Sequence, residues 1–354
     1  MLKKIDKYIY LFILQVVIWK VVSNSNYLRE SWYTYFIKNY NLLINSITSK
    51  INFPLGELLY LVIVITIIVY IIYLIRNIRV NKQFKVLLIS VNIVYFIYQS
   101  CWGISYLIPK FKIENTKLKL EENDLKDMYY MYLNEAKLLR NDISVSEKNV
   151  LQFNLDRELI LKEYKNVNSI LANNKWINNY IEIKNPTYKY SKCSDLLIKL
   201  GILGYYNPFS VESNVNRYNT DLKQIPTIYH ELAHQMGFSS ENEANFISFI
   251  ISYNSEIPEI RYAALYKIIF TLLKNISKFD ESFSKNEIKN LPELIKRDYE
   301  SEVIYYQKFD SKLNDVFSFL NNQFLKFNNQ EGIISYSKYI ILVSYYNQYN
   351  KKNN

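Results

Sequence analysis

Histidine is almost absent from this sequence: the whole chain of 354 residues carries two. Any metal or acid–base chemistry that needs several imidazoles is thereby excluded. Cysteine is equally scarce, with two residues. Cys101 and Cys193 lie in segments of different character, so neither a disulfide framework nor a thiolate-based zinc site can be built. The six glycines and seven prolines exclude collagen-like and Gly/Pro low-complexity architectures. Hydrophobic residues reach 49% and charged residues 21%, which excludes a wholly disordered chain. Aromatics are plentiful by contrast: 34 of the residues are Tyr, a side chain favoured where a surface is half wet and half apolar.

The net charge of +10 would suit a nucleic-acid binder, but the basic residues form no single stripe and no nucleic-acid-binding motif is present. The purest basic run, Arg76, Arg79, Lys82 and Lys85, contains no acidic residue and separates two apolar stretches. That is the positive-inside pattern of a membrane protein. Leu58–Ile75 and Val86–Ile108 are uncharged, and each meets the length of about 20 residues needed to cross a bilayer. An earlier apolar run, Tyr8–Trp19, extends to Val22 if Lys20 reaches the headgroups. Its basic start, Lys3-Lys4-Lys7, also suits a signal peptide, yet no small-x-small cleavage site follows. The expectation is a membrane domain over 1–110, with spans at about 8–22, 57–76 and 86–108 and an aromatic interfacial loop over 23–55. With the 76–85 loop cytoplasmic, the remainder, 111–354, lies outside the cytoplasm of a bacterial cell membrane.

Beyond Lys110 the chain is mixed and charged. Leu125, Met128, Tyr129, Tyr132, Leu133, Ala136 and Leu139 recur at helical spacing and predict a helix over 122–140. Further helices are expected over 151–172, 226–236, 241–253, 258–274, within 290–327, and over 337–349. Phe209, Val211, Ser213 and Val215 alternate after Pro208 and predict a short strand, either an edge able to pair with an extended peptide or the floor of the domain. The fold class expected is mainly α: three N-terminal transmembrane helices, then a mostly helical extracytoplasmic domain with a small β element.

Both histidines fall in one motif, His230-Glu231-Leu232-Ala233-His234. Positions i and i+4 share a helix face, so both imidazoles can reach one metal ion. Glu231 projects about 100° away, where it can serve as general base toward a water. Two histidines placed at random give this pattern roughly three times in ten thousand. Pro226 suits a helix N-terminus and Gly237 a C-terminus. A third ligand must be a carboxylate, since no histidine remains. Glu241, on a polar stripe with Asn245, Ser248 and Ser252, is the leading candidate, with Asn245 as a partner for a ligating imidazole. Glu243 is the runner-up, its alternative role being to cap the helix from Ser240. Tyr229, Arg261, Tyr262 and Tyr336 are candidate transition-state stabilisers. An intramembrane site is disfavoured, because the motif lies about 120 residues past the last expected span.

These residues resemble a family of bacterial multi-span membrane proteins known as domain of unknown function 3810, grouped with gluzincin-type zinc peptidases. The resemblance rests on the Ser240-to-Phe246 run after the motif and on residues 204–209 with Glu212 and Asn216. It rests also on Asn52-Phe53-Pro54-Leu55-Gly56-Glu57 and on the run from Gln330 to Tyr336. It implies three spans followed by a zincin-like domain and no known substrate. The Glu-x-x-x-Asn pair is similar to the Glu-x-x-x-Asp of gluzincins, whose Glu is the ligand; Asn245 departs from that carboxylate. The function expected is a membrane-anchored, zinc-dependent metallopeptidase, an endopeptidase holding one Zn2+ and acting on peptide or protein. Two alternatives are a non-catalytic zincin-fold membrane sensor or peptide-binding protein, and a membrane scaffold in which the motif is incidental. The partners expected are the lipid bilayer and the substrate, with no nucleic acid.

Overall fold

The computed structural model describes residues 2–76, 80–113, 120–143, 151, 153 and 155–353. The chain is mostly helical, and it folds as two compact units. One comprises Met1–Pro109, Ile183–Asn185 and Asn207–Glu212; the other comprises Lys110–Glu182, Pro186–Tyr206 and Ser213–Asn354.

The first unit contains α1 (Leu2–Asn24), α2 (Asn26–Trp32), α3 (Lys38–Thr48), α4 (Leu55–Arg76) and α5 (Val80–Cys101). A five-residue π-helical turn, Tyr33–Ile37, joins α2 to α3. Three of these helices, α1, α4 and α5, are long and apolar enough to cross a membrane. Their large apolar side chains are exposed almost throughout, from Ile9 to Val21 and from Leu58 to Tyr73, as a helix solvated by lipid requires. The third stretch ends sooner than its lack of charge suggests: α5 stops at Cys101, and Gly103–Leu107 turns into a 3-10 helix. Residues 77–79 of the basic loop lie outside the described residues. Helices α1 and α5 pack through a polar contact, Gln15 Nε2 to Asn92 Oδ1 at 3.2 Å, and through the Phe12–Tyr95 and Trp19–Phe96 ring pairs. A polar side chain in an apolar setting needs such a partner.

This unit also joins two of the sequence motifs. The buried Glu212 carboxylate accepts from Leu55 N at 3.1 Å and from Gly56 N at 2.6 Å. These are first-turn N–H groups of α4, which no helical carbonyl can satisfy, and a negative charge there is favoured by the helix dipole.

The second unit holds α6 (Glu122–Asp142), α7 (Arg157–Lys165), α8 (Val167–Asn173), α9 (Ser194–Lys199), α10 (Asp221–Gln235), α11 (Glu241–Tyr253), α12 (Pro258–Ile276), α13 (Glu281–Lys289), α14 (Glu293–Gln307), α15 (Lys312–Phe327) and α16 (Tyr339–Asn353). Its core is the mutual packing of α6, α10, α11 and α12, where Ile228, Leu232, Phe246, Ile250, Leu265 and Ile269 are fully buried. Each such side chain contributes about 1.5–3 kcal/mol. The expected helix over 226–236 begins earlier, at Asp221, and Pro226 sits inside it. The proline removes one N–H that would have reached Leu222 O, while burial of both flanks of α10 holds the helix together across that gap. The region expected as one helix over 151–172 forms two, α7 and α8.

Three short strands, β1 (Tyr188–Tyr190), β2 (Gly204–Asn207) and β3 (Glu212–Val215), form a sheet in the order β1-β3-β2. Strand β3 pairs with β1 in parallel, Tyr188 opposite Ser213 and Tyr190 opposite Val215. The expected strand over Phe209–Val215 is therefore shorter, and it is central, not an edge. Residues 208–211 form a turn, because Asn207 Oδ1 accepts from Phe209 N at 2.9 Å and Ser210 N at 3.2 Å and closes the chain on itself.

Candidate metal centre

Helix α10 presents His230 and His234 one turn apart, their ring centroids 4.7 Å from each other. The chain leaves α10 through Gly237, at φ +82°, a conformation that costs glycine little. Gly237 N donates to His234 O, and Phe238 N reaches back to Ala233 O, which together form a Schellman turn. The reversal starts α11 at Glu241. Its carboxylate Oε2 lies 3.0 Å from His230 Nε2 and 3.9 Å from His234 Nε2, and one ligand atom from each of the three residues lies within 4.8 Å of the others. All three side chains are buried.

The far nitrogen of each ring is occupied. His234 Nδ1 is 2.7 Å from Phe238 O. A carbonyl only accepts, so Nδ1 carries the proton and Nε2 presents its lone pair to the cluster. The Schellman turn that ends α10 therefore also fixes this imidazole. His230 Nδ1 lies 3.1 Å from Asn245 Oδ1, one turn along α11 from Glu241. Lys267 Nζ, from α12, donates to the same oxygen at 2.7 Å. The backbone N–H of Glu241 donates to Gln330 Oε1 at 3.0 Å.

Burial sets the electrostatics. Desolvation pushes the His230 imidazole down to about 3, helped by the Lys267 charge, and His234 down to about 4. Both rings are thus neutral, as metal ligation requires. Desolvation raises the Glu231 carboxyl well above its ordinary value, and the neighbouring Glu241 charge adds to this while Lys267 opposes it. Glu231 Oε2 is buried with no hydrogen-bond partner among the described residues. Gly204, at the start of β2, leaves room for this carboxylate: a Cβ there would come within 2.9 Å of Glu231 Oε1.

The donor set fits a zinc-type ion. Two imidazole lone pairs and a carboxylate oxygen converge, and in neutral rings these groups repel one another unless a cation lies between them. Glu243 points elsewhere: Ser240 donates to its carboxyl from both hydroxyl and backbone, as in half of a capping box, and the Lys110 charge opposes the desolvation that raises it. Of the candidate stabilisers, Tyr229 donates to Ile160 O at 3.0 Å, Tyr262 to Asp298 Oδ2 at 2.6 Å, and Arg261 pairs with Glu135. The side chain of Tyr336 lies outside the described residues. Lys267, Gln330 and the Phe238 carbonyl were not expected at the site. The signal for Lys267 was its isolation as one charge within the apolar run Tyr262–Leu273. A mostly apolar cavity of about 420 Å³ adjoins the motif helix, lined by Thr227 and Pro226 one turn before Glu231 and His230 and by Leu203, Tyr266, Lys267 and Phe270 among others.

A family model described as "Protein of unknown function (DUF3810)" matches residues 32–344. No curated protein and no solved structure matches the chain. The chain belongs to the DUF3810 family.

Proposed function

We propose that this DUF3810 protein is a membrane-anchored, zinc-dependent metallopeptidase with a zincin-like catalytic domain, of gluzincin type by its ligand set. The observation that carries the reading is the convergence of His230 Nε2, His234 Nε2 and Glu241 Oε2, with both Nδ1 atoms engaged on the far side. Bound there, Zn2+ supplies Lewis acidity to a water and to the scissile carbonyl. Glu231, buried beside the cluster without a hydrogen-bond partner for Oε2 among the described residues, takes the proton from the attacking water and delivers it to the leaving amine. Asn245 and the Phe238 carbonyl hold the imidazoles in orientation. Water adds across the C–N bond, and the proton budget closes on Glu231.

The test is metal analysis of the purified full-length chain with cleavage of a peptide library by wild type and Glu231→Gln. The expected outcome is about one equivalent of zinc in both proteins and a loss of cleavage in the variant of at least about 10²-fold. Zinc-free wild type, or a variant that cleaves as well as wild type, sinks the mechanism.

The engagement of Tyr229, Tyr262 and Arg261 with other partners favours a second reading, a sensor that binds metal or peptide without turnover. It predicts stoichiometric zinc and no cleavage of any peptide. For orientation, the basic run Arg76–Lys85 supports a cytoplasmic loop, three passes and a catalytic domain outside the cytoplasm.

A further inference from the structure

A carboxylate beside a ligating histidine can only accept a hydrogen bond, so it fixes the ring tautomer unaided. Asn245 cannot do this alone. A carboxamide carries an acceptor at one end and donors at the other, in nearly the same shape. With Oδ1 toward His230 Nδ1, the ring keeps its proton on Nδ1 and offers the Nε2 lone pair to the cluster. With the amide turned over, Nδ2 would donate to Nδ1, force the proton onto Nε2 and close that atom to a cation. Either arrangement makes one hydrogen bond to the ring, so His230 and Asn245 alone do not choose between them.

Lys267 makes the choice. Its ammonium is a donor with no acceptor capacity, and it lies 2.7 Å from the same Asn245 Oδ1 that faces His230. A turned amide would set N–H against N–H at Lys267. We infer that Lys267 is a positioning residue: by holding the Asn245 carboxamide oxygen toward His230, it fixes the imidazole as the Nδ1–H tautomer and lets an asparagine serve where a carboxylate would act alone. Burial lowers the Lys267 ammonium to about 8, with Glu231 and Glu241 opposing that shift, so the side chain is still a cation at neutral pH. The inference deepens the metal-site reading given above, but its tautomer arm needs no metal.

The chain has two histidines, so protein labelled with 15N-histidine gives two imidazole systems to observe. The experiment uses the full-length chain in lipid nanodiscs, stripped of metal by a chelator. Wild type is expected to show both rings as Nδ1–H. In Lys267→Met one ring moves to a mixture or to Nε2–H, while the other, held by the Phe238 carbonyl, stays unchanged. Zinc affinity, measured by competition with a chromophoric chelator, falls about 10–100-fold in Lys267→Met. The double variant Lys267→Met/Asn245→Asp restores both the Nδ1–H signal and most of the lost affinity, a rescue that a merely structural lysine would not allow. An Nε2–H ring in wild type, an unchanged spectrum and affinity in Lys267→Met, or a double variant no tighter than the single one overturns the inference. If Lys267→Met does not fold, the wild-type spectrum still decides it. Wild type with both rings Nδ1–H but no zinc binding defeats the metal reading and leaves the tautomer assignment standing.

Discussion

Gly237 has two tasks at the end of α10. At φ +82° it turns the chain so that Phe238 N reaches Ala233 O, and the same turn carries the Phe238 carbonyl to His234 Nδ1. A Cβ at 237 raises the energy of that conformation by about 1–2 kcal/mol. Gly237→Ala is expected to lower zinc affinity by more than its modest loss of stability accounts for, read by chelator competition beside a urea melt; equal affinity would separate the turn from the site. Acid sensitivity follows from burial. A proton displaces the metal only when it can charge an imidazole, and the depressed values of about 3 and about 4 move that competition to lower pH. An exposed histidine pair would begin to lose metal near pH ~6.5; this site is expected to retain it at pH ~5.5 and release it as pH falls toward ~4. Zinc content after dialysis across that range checks this, and a release midpoint at or above pH ~6 would contradict it. His230, Glu231 and His234 were legible in the sequence because i, i+4 spacing is a local property. Glu241 was legible as the stripe residue of the next helix. Lys267 was not, because its contact with Asn245 joins residues 22 apart on two helices and no periodicity encodes which helices meet.

The elements around the site are tied by charges as well as by apolar packing. Arg140 on α6 makes a two-pronged contact with Asp298 on α14, Nε to Oδ2 at 2.6 Å and Nη2 to Oδ1 at 3.0 Å, and Tyr262 on α12 donates to the same carboxylate. Both charged side chains are 1% exposed. Removing one partner strands the other charge in the interior, so Asp298→Ala is expected to destabilise the fold by about 3–5 kcal/mol, while replacing the group by a well-packed apolar set would cost far less. Urea denaturation decides it; a loss under about 1 kcal/mol would mean that water reaches Arg140. Helix positions such as 241–253 and 122–140 were readable because their apolar residues recur on one face over several turns, and α6 runs only two residues further, to Asp142. Pro226 misled the boundary of α10: a proline reads locally as a helix start, whereas burial from Leu222 through Gln235 carries the helix through it. The strand limits were hidden for a similar reason, since β3 is buried along its whole length and its polar Ser213 donates to Glu231 O at 2.8 Å, so simple alternation fails there.

At the scale of the whole molecule, composition was the better guide. Uncharged runs of membrane-spanning length announce themselves without any tertiary information, whereas the pairing of Glu212 with the start of α4, 156 residues away from Gly56, could not be seen in either motif by itself. The proposed orientation rests on the asymmetry of charge: Arg76, Arg79, Lys82 and Lys85 gather between the two apolar runs with no acidic residue among them, and such a basic segment is costly to translocate. On that proposal an odd number of passes would put the histidine cluster outside. The chain supplies its own probe for this, because Cys193 is exposed in the second unit while Cys101 is buried. A membrane-impermeant maleimide applied to spheroplasts is expected to label the wild type and the Cys101→Ser variant and to leave Cys193→Ser unlabelled. Labelling of Cys193 only after lysis would place the second unit in the cytoplasm and overturn the topology. Because that result moves the site without altering a side chain of the cluster, it would redirect the search for a substrate to cytoplasmic peptides and leave the proposed zinc chemistry of His230, His234 and Glu241 to its own test.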